Sequence, residues 1–272
     1  MSKPNLLVTF SGGRSSGLMA YHMKKYYSDE YNIVYVFANT GQENDETLDF
    51  VEAVDKAFDL GVVWVEAEVH HGVRIASTHK VVNHETATRR TEFENSPYTE
   101  VVKKYGIPNK AYMHCTRELK ENPIHHYVQN VVGWKKGTYQ TAIGIRGDEP
   151  KRLKRNAHWQ NKIYPLADII NVTQQDVWDF WKSQEFDLEI EDYQGNCAWC
   201  FKKCEKKLKR ILAEDPSIFD YPNHIEKTYG TVGKNKIKGV HVPEPRTLYR
   251  NYKTANILIN EVLGSVQSAC FA

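Results

Sequence analysis

Apolar residues first crowd together at Asn5–Phe10, where Leu6, Leu7, Val8 and Phe10 leave almost no polar position. So dense a run predicts a strand buried on both faces. Gly12, Gly13 and Gly17 follow, and residues 16–25 read as a helix. Residues 32–38 predict a second strand. The polar turn 39–44 then leads into a helix over 45–60, with Leu48, Val51, Val54 and Phe58 on one face. Asp45 and Glu46 stand at the helix end that favours acids. Residues 62–69 predict a third strand. Strand and helix alternating in this way imply a parallel sheet with helices on its faces.

The pattern then breaks. Residues 70–95 are polar and aperiodic and read as an inserted loop or lid. Residues 97–105 and 116–132 look helical, 138–145 predicts a fourth strand and 163–166 a short fifth. A helix over 173–184 has Thr173 as N-cap with Asp176 three residues on. Another covers 205–212, and 230–272 reads as a loosely organised extension. The expected organisation is a nucleotide-binding α/β domain (1–190), a cysteine-containing helical segment (191–229) and a C-terminal extension (230–272). Within the first, the fold class is a five-stranded parallel sheet with helices on both faces, Rossmann-like.

Composition changes this picture little: 41% hydrophobic, 26% charged and a net charge of +2 over 272 residues describe an ordinary globular chain. The charge is too small to imply nucleic acid by itself. The basic clusters 151–155 and 202–210 each read first as solvated faces. No apolar stretch approaches the ~18 residues a membrane helix needs, and the first apolar run lacks a cleavage site. The expectation is a cytoplasmic protein with no membrane partner. In that compartment five cysteines read as metal ligands or reactive thiols rather than disulfides.

Between the first strand and helix lies Ser11-Gly12-Gly13-Arg14-Ser15-Ser16-Gly17. Glycines admit a ligand close to the backbone, unpaired amides at a helix start point at an anion, and the helix dipole adds to the attraction. Serine hydroxyls and Arg14 are further donors. The loop lacks the Lys-Ser/Thr ending of a Walker loop and the dinucleotide Gly-x-Gly-x-x-Gly. A tight glycine turn without a ligand is the plainer alternative.

The loop resembles the Ser-Gly-Gly-x-Asp-Ser element of the adenine nucleotide alpha-hydrolase (PP-loop) superfamily, and other segments are similar to its PAPS reductase branch, phage-borne relatives included. These segments are Phe37-Ala-Asn-Thr-Gly-Gln-Glu43, Ile143-Gly-Ile-Arg-Gly-Asp-Glu-Pro150, Tyr164-Pro-Leu166 with Asp176-Val-Trp178, and residues 195–203. The resemblance spans roughly residues 5 to 215. It implies an enzyme with an adenine nucleotide, ATP foremost, at the carboxyl ends of the strands. Ser11, Gly12, Gly13, Arg14, Ser15, Ser16, Asn39, Thr40, Glu43, Gly144, Arg146 and Glu149 are the implied contacts. Ser15 stands where the superfamily loop has aspartate, as it does in sulfonucleotide reductases. Hydrophilic turn residues are the alternative for Asn39 and Glu43, and an internal ion pair with Glu149 is the alternative for Arg146. No catalytic residue is assigned.

Cys197, Cys200 and Cys204 fall within eight residues, a spacing that suits one metal centre. Cys115, in a stretch resembling a ligand segment of iron–sulfur APS reductases, makes a fourth. A 4Fe–4S cluster is the first expectation and zinc the second; Cys204 is the ligand with an alternative place in the core. Cys270 lacks the Glu, Gly and His that surround the nucleophilic cysteine of PAPS and APS reductases. Among the histidines, His114 beside Cys115 is the one of interest; His70, His71, His125 and His126 read as surface residues.

Three functions compete. One is adenylylation at the nucleotide phosphates coupled to sulfur transfer onto a nucleic acid or small molecule, with sulfonucleotide reduction as its variant. The second is nucleic-acid binding, with Tyr249 and Tyr252 beside Arg246 and Arg250. The third is nucleotide sensing without catalysis. The oligomeric state is not legible.

Overall fold

The computed structural model describes residues 3–233 and 245–264, and the backbone of 265–270. Six strands form one sheet in the order β4-β3-β2-β1-β5-β6: β1 (Asn5–Phe10), β2 (Asn32–Asn39), β3 (Val63–Glu68), β4 (Thr78–Val82), β5 (Tyr139–Ile143) and β6 (Lys162–Ile163). Five run parallel, as expected. The sixth, β4, is an antiparallel edge strand, Thr78 pairing with Glu68 and Val82 with Trp64. It lies inside the segment read as a loop. With Thr78, His79 and Lys80 at one end and only Val82 buried, it has too little apolar alternation to register as a strand.

β1 is buried on both faces. Leu6, Val8 and Phe10 enter a core with α1 (Arg14–Tyr27), α2 (Asp45–Phe58) and α7 (Gln174–Lys182). Leu7 enters a second core with Val36, Val65 and residues of α5 (Asn122–Asn130). Alternate residues serving opposite faces explain why the run carries almost no polar position. Strand order reverses beside β1, with β2 on one side and β5 on the other. Above the carboxyl ends of such a pair the connections diverge and leave a crevice.

α3 (Pro97–Tyr105) is capped by Ser96, whose hydroxyl accepts from Thr99 N. The helix expected over 116–132 is composite: a turn of α4 (His114–Thr116), a π-helical turn Arg117–Glu121, then α5. The fifth predicted strand is only β6; Pro165 starts α6 (Pro165–Asp168) at its first position, which a strand interior does not accommodate.

A third core lies under α8 (Glu205–Glu214) and α9 (Asp220–Tyr229), joining Trp199, Phe201 and Leu212 to Tyr98 and Val101 of α3. Part of the expected loose extension belongs to it. In α10 (Ala255–Cys270), Ala255 and Leu258 are fully buried. The helix is fastened by the Glu226 carboxylate, which accepts from Leu248 N (2.7 Å) and Ala255 N (2.6 Å). The Cys270 side chain lies outside the described residues.

Candidate functional site

At the end of β1 the backbone turns through Gly12 at φ +77°, and a Cβ there would lie 2.6 Å from Thr47 Cγ2. Only glycine fits. Gly13 then caps α1. The Ser16 hydroxyl braces the turn: it donates to Gly13 O (2.8 Å) and accepts from the N–H groups of Ser11 and Gly13 (both 3.2 Å) and from Ser11 Oγ (2.9 Å). Its role is internal. The N–H groups of Arg14 and Ser15, in the first turn of α1, take no carbonyl among the described residues. They face a cavity of about 460 Å³, the arrangement that receives an anion.

The opposite wall is the loop after β5. Gly144 presses so close that a Cβ would lie 2.9 Å from Ser16 Cα. Arg146 donates to Ser15 Oγ (3.1 Å) and to Asp148 Oδ1 (2.9 Å), with Glu149 Oε2 at 3.8 Å. Both readings of Arg146 are thus visible: it pairs internally and borders the cavity. Arg14 turns away from the cavity's centre. Its guanidinium grips Asp187 and the carbonyls of Leu188 and Ile190, clamping that segment to α1.

Of the twelve implied nucleotide contacts, Ser11, Gly12, Gly13, Arg14, Ser15, Ser16, Gly144, Arg146 and Glu149 line this cavity; Asn39, Thr40 and Glu43 do not. Asn39 is fully buried, donating to Glu66 Oε1 (2.7 Å) and Thr88 O (2.9 Å). Thr40 donates to Glu43 Oε2 (2.7 Å), and Lys120 Nζ stands 3.4 Å from Glu43 Oε1. The turn after β2 serves instead as the mount of the cysteine segment: Gln42 O accepts from Ala198 N, and Gln42 Oε1 from Trp199 Nε1 (2.8 Å).

That segment borders a second cavity, of about 710 Å³, and all four candidate ligands line it. Cys115, Cys197 and Cys200 are half-buried; Cys204 is exposed at the N-cap of α8. Thr40 Oγ1 lies 3.5 Å from Cys197 Sγ. Burial, and after it the Glu43 carboxylate, push the Cys197 thiol up to about 12. Burial works against the charged form of Lys120, yet Glu43 and Cys197 outweigh it and hold the ammonium above its ordinary range. Among the described residues no three His, Cys, Asp or Glu side chains are drawn close enough to hold an ion in this conformation. The donor set nonetheless suits a soft metal centre, with several thiols on one wall and Lys120, Lys202 and Lys203 beside them to offset thiolate charge.

The two cavities adjoin. Arg152, Asp192, Gly195, Asn196 and Lys207 line both. Sequence reading gave Arg152, Asp192 and Thr47 no place in the site, whereas Gly195, Asn196 and Trp178 lie in segments that resemble the family and Lys207 stands among the lysines near the thiols. Arg152 and Lys207 belong to the two basic clusters read as solvated, and nothing in a run of like charges marks the member that turns inward. The Thr47 hydroxyl is buried without a partner.

Other expectations resolve differently. His114 donates Nε2–H to Gly106 O, and burial lowers it to about 4, so it is a neutral structural residue. Of the four tail residues considered for nucleic acid, Tyr252 and Arg250 are exposed, whereas the other two are packed inside. Tyr249 is buried and donates to Trp199 O, and Arg246 is buried over the Tyr112 ring at 3.9 Å.

The sequence profile of the phosphoadenosine phosphosulfate reductase domain matches residues 5–190. The nin region protein ORF290 of Escherichia phage lambda is 34% identical over 212 residues, 78% of this chain and 71% of its own length. The protein MJ0066 of Methanocaldococcus jannaschii is 26% identical over 237 residues, 84% of this chain but 42% of its own. Among solved structures, the U34-tRNA thiolase NcsA from Methanococcus maripaludis with its 4Fe–4S cluster aligns with a TM-score of 0.40 and 15% identity, covering 88% of this chain and 77% of that one. Among the described residues no helix is long and apolar enough to cross a membrane.

Proposed function

The chain belongs to the phosphoadenosine phosphosulfate reductase domain family, and we propose that it is an adenine-nucleotide-dependent sulfur-transfer enzyme with ATP as its first substrate. The observation that carries this reading is the common wall of the two cavities, which sets a phosphate-binding loop beside a group of thiols.

Phosphates take the free amides of Arg14 and Ser15, the Ser11 and Ser15 hydroxyls and the Arg146 guanidinium. The buried Thr47 hydroxyl supplies an unspent donor at the same place. An acceptor oxygen attacks the α-phosphorus, the bond to the β-phosphate breaks, and pyrophosphate leaves. Lys207, on the common wall, offsets charge on the adenylylated intermediate. Hydrosulfide, entering as a co-substrate on the thiol side, then attacks the activated carbon; the carbon–sulfur bond forms as the carbon–oxygen bond breaks and AMP leaves.

Cys115, Cys197 and Cys200, with Cys204 as fourth, are the residues that would hold a 4Fe–4S cluster, or zinc in the alternative. Held there, a cluster supplies an iron site for a transferable sulfur, whereas zinc supplies only structure. Exposure sets Cys204 apart as the ligand most readily exchanged.

The test is pyrophosphate and AMP release from ATP by anaerobically purified protein, with and without an acceptor pool. Acceptor-stimulated release of both products supports the assignment. Cleavage to ADP and phosphate, or none, overturns it.

A further inference from the structure

A third cavity, of about 660 Å³, lies along α5 and involves neither the phosphate loop nor the thiols. Asn122, His125, Gln129, Lys136 and Trp159 are among its lining residues. Trp159 is 81% exposed on the short 3-10 turn His158–Gln160. A large ring left in water on a polar rim marks an interaction site more often than a packing residue. The loop leading to it carries exposed Lys151, Lys154 and Arg155, and Lys136, which lines the cavity, and its neighbour Lys135 are exposed as well. Among the described residues none of these five cations meets a carboxylate, whereas Arg152 of the same loop is spent on Glu149.

We propose that this groove binds a single-stranded polynucleotide, with Trp159 stacking on a base and the unpaired cations meeting its phosphates. Stacking needs an unpaired base face, which a duplex does not offer to an indole. The Gln129 amide both donates and accepts, which matches a base edge, and Asn122, whose N–H donates to Glu118 (3.1 Å), keeps its amide oxygen as an acceptor. An acidic peptide would use the cations but neither the amides nor the ring. Two connections join the groove to the site described above: Ser77, on its lining, donates to Glu118, three residues from Cys115, and the loop carrying Trp159 begins near Arg152, which lines both other cavities. The inference rests on the proposed function only in taking the bound strand as the sulfur acceptor; binding itself requires no ATP.

The experiment is fluorescence anisotropy of labelled single-stranded RNA and DNA of about 12 nucleotides, within the site sizes of such grooves, in the absence of ATP. The comparison is wild type against Trp159→Ala and the double variant Lys135→Glu/Lys136→Glu, with circular dichroism to verify folding. Expected are binding that weakens steeply with salt, at least fivefold loss in Trp159→Ala, and larger loss in the double variant. The RNA and DNA arms identify which polymer is preferred. Absence of binding at low salt, affinity unchanged in Trp159→Ala, or equal binding of polyglutamate overturns the proposal. Because pyrophosphate release is measured separately, loss of strand binding and failure of the ATP chemistry remain distinguishable.

Discussion

The guanidinium of Arg146 donates to the hydroxyl of Ser15 across 3.1 Å, tying the loop after β5 to the first turn of α1. Ser15 stands where the superfamily loop has aspartate, so this contact is a hydrogen bond rather than an ion pair. The charge of Arg146 is shared with Asp148 and, at longer range, Glu149, so an incoming phosphate competes with these carboxylates for it. Arg146→Ala should weaken ATP binding by roughly 10- to 100-fold, the ~1.5–3 kcal/mol of a charge-assisted hydrogen bond. Calorimetry at low salt measures it, and unchanged affinity would remove Arg146 from the phosphate site.

Two neighbouring glycines should respond in opposite ways. A Cβ at Gly12 meets Thr47 at 2.6 Å and sits at φ +77°, so Gly12→Ala should destabilise the protein by about 2 kcal/mol or more. A Cβ at Gly13 meets nothing within 4 Å. Gly13→Val should therefore keep the wild-type melting temperature and lose nucleotide binding, because its side chain occupies ligand space. Thermal melts and calorimetry on the pair separate a structural glycine from a binding one.

The cysteines should differ in their hold on metal. Alanine at Cys115, Cys197 or Cys200 should strip iron or zinc from protein purified without oxygen, whereas Cys204→Ala, at an exposed position, should retain a substantial fraction. Metal analysis with visible absorption decides it, and metal content unaffected by Cys115→Ala would break the four-ligand set.

Sulfite release from PAPS or APS with thioredoxin should be absent. A reductase of that kind needs a thiolate kept ionised beside the nucleotide, and the sequence around Cys270 holds no charge or histidine. Robust turnover abolished by Cys270→Ser would show that this cysteine was wrongly discounted.

Burial raises Glu226 from 4.5 to about 7, outweighing the two N–H groups that favour its carboxylate. A raised folded-state value means the native protein holds the proton more tightly than the unfolded chain. Its contribution, up to about 3 kcal/mol, is full below the unfolded value and lost as pH rises through about 7. The melting temperature should fall between about pH 5 and 8 because of this group, and Glu226→Gln should flatten that slope. An identical slope in the variant would assign the pH dependence elsewhere.

Much of this was legible in the sequence. Strands buried on two faces announce themselves, as β1 does, and glycines between strand and helix mark an anion loop. The edge strand β4 did not, because a strand with one partner and mostly polar residues has no pattern to distinguish it from a loop. Asn39 and Glu43 matched a motif, but a motif does not say which way its residues face; here Asn39 is held by Glu66 and Thr88, and Glu43 by Thr40 and Lys120. Lys207 and Arg152 were hidden among like charges, and only tertiary packing separates them from their solvated neighbours.

Whether loop 11–17 holds the phosphates of ATP beside the thiols is decided by titrating a non-cleavable ATP analogue into wild type and Gly13→Val. One saturable site in the wild type and none in the folded variant is the predicted result. Equal binding by both proteins would place the nucleotide elsewhere and contradict the account.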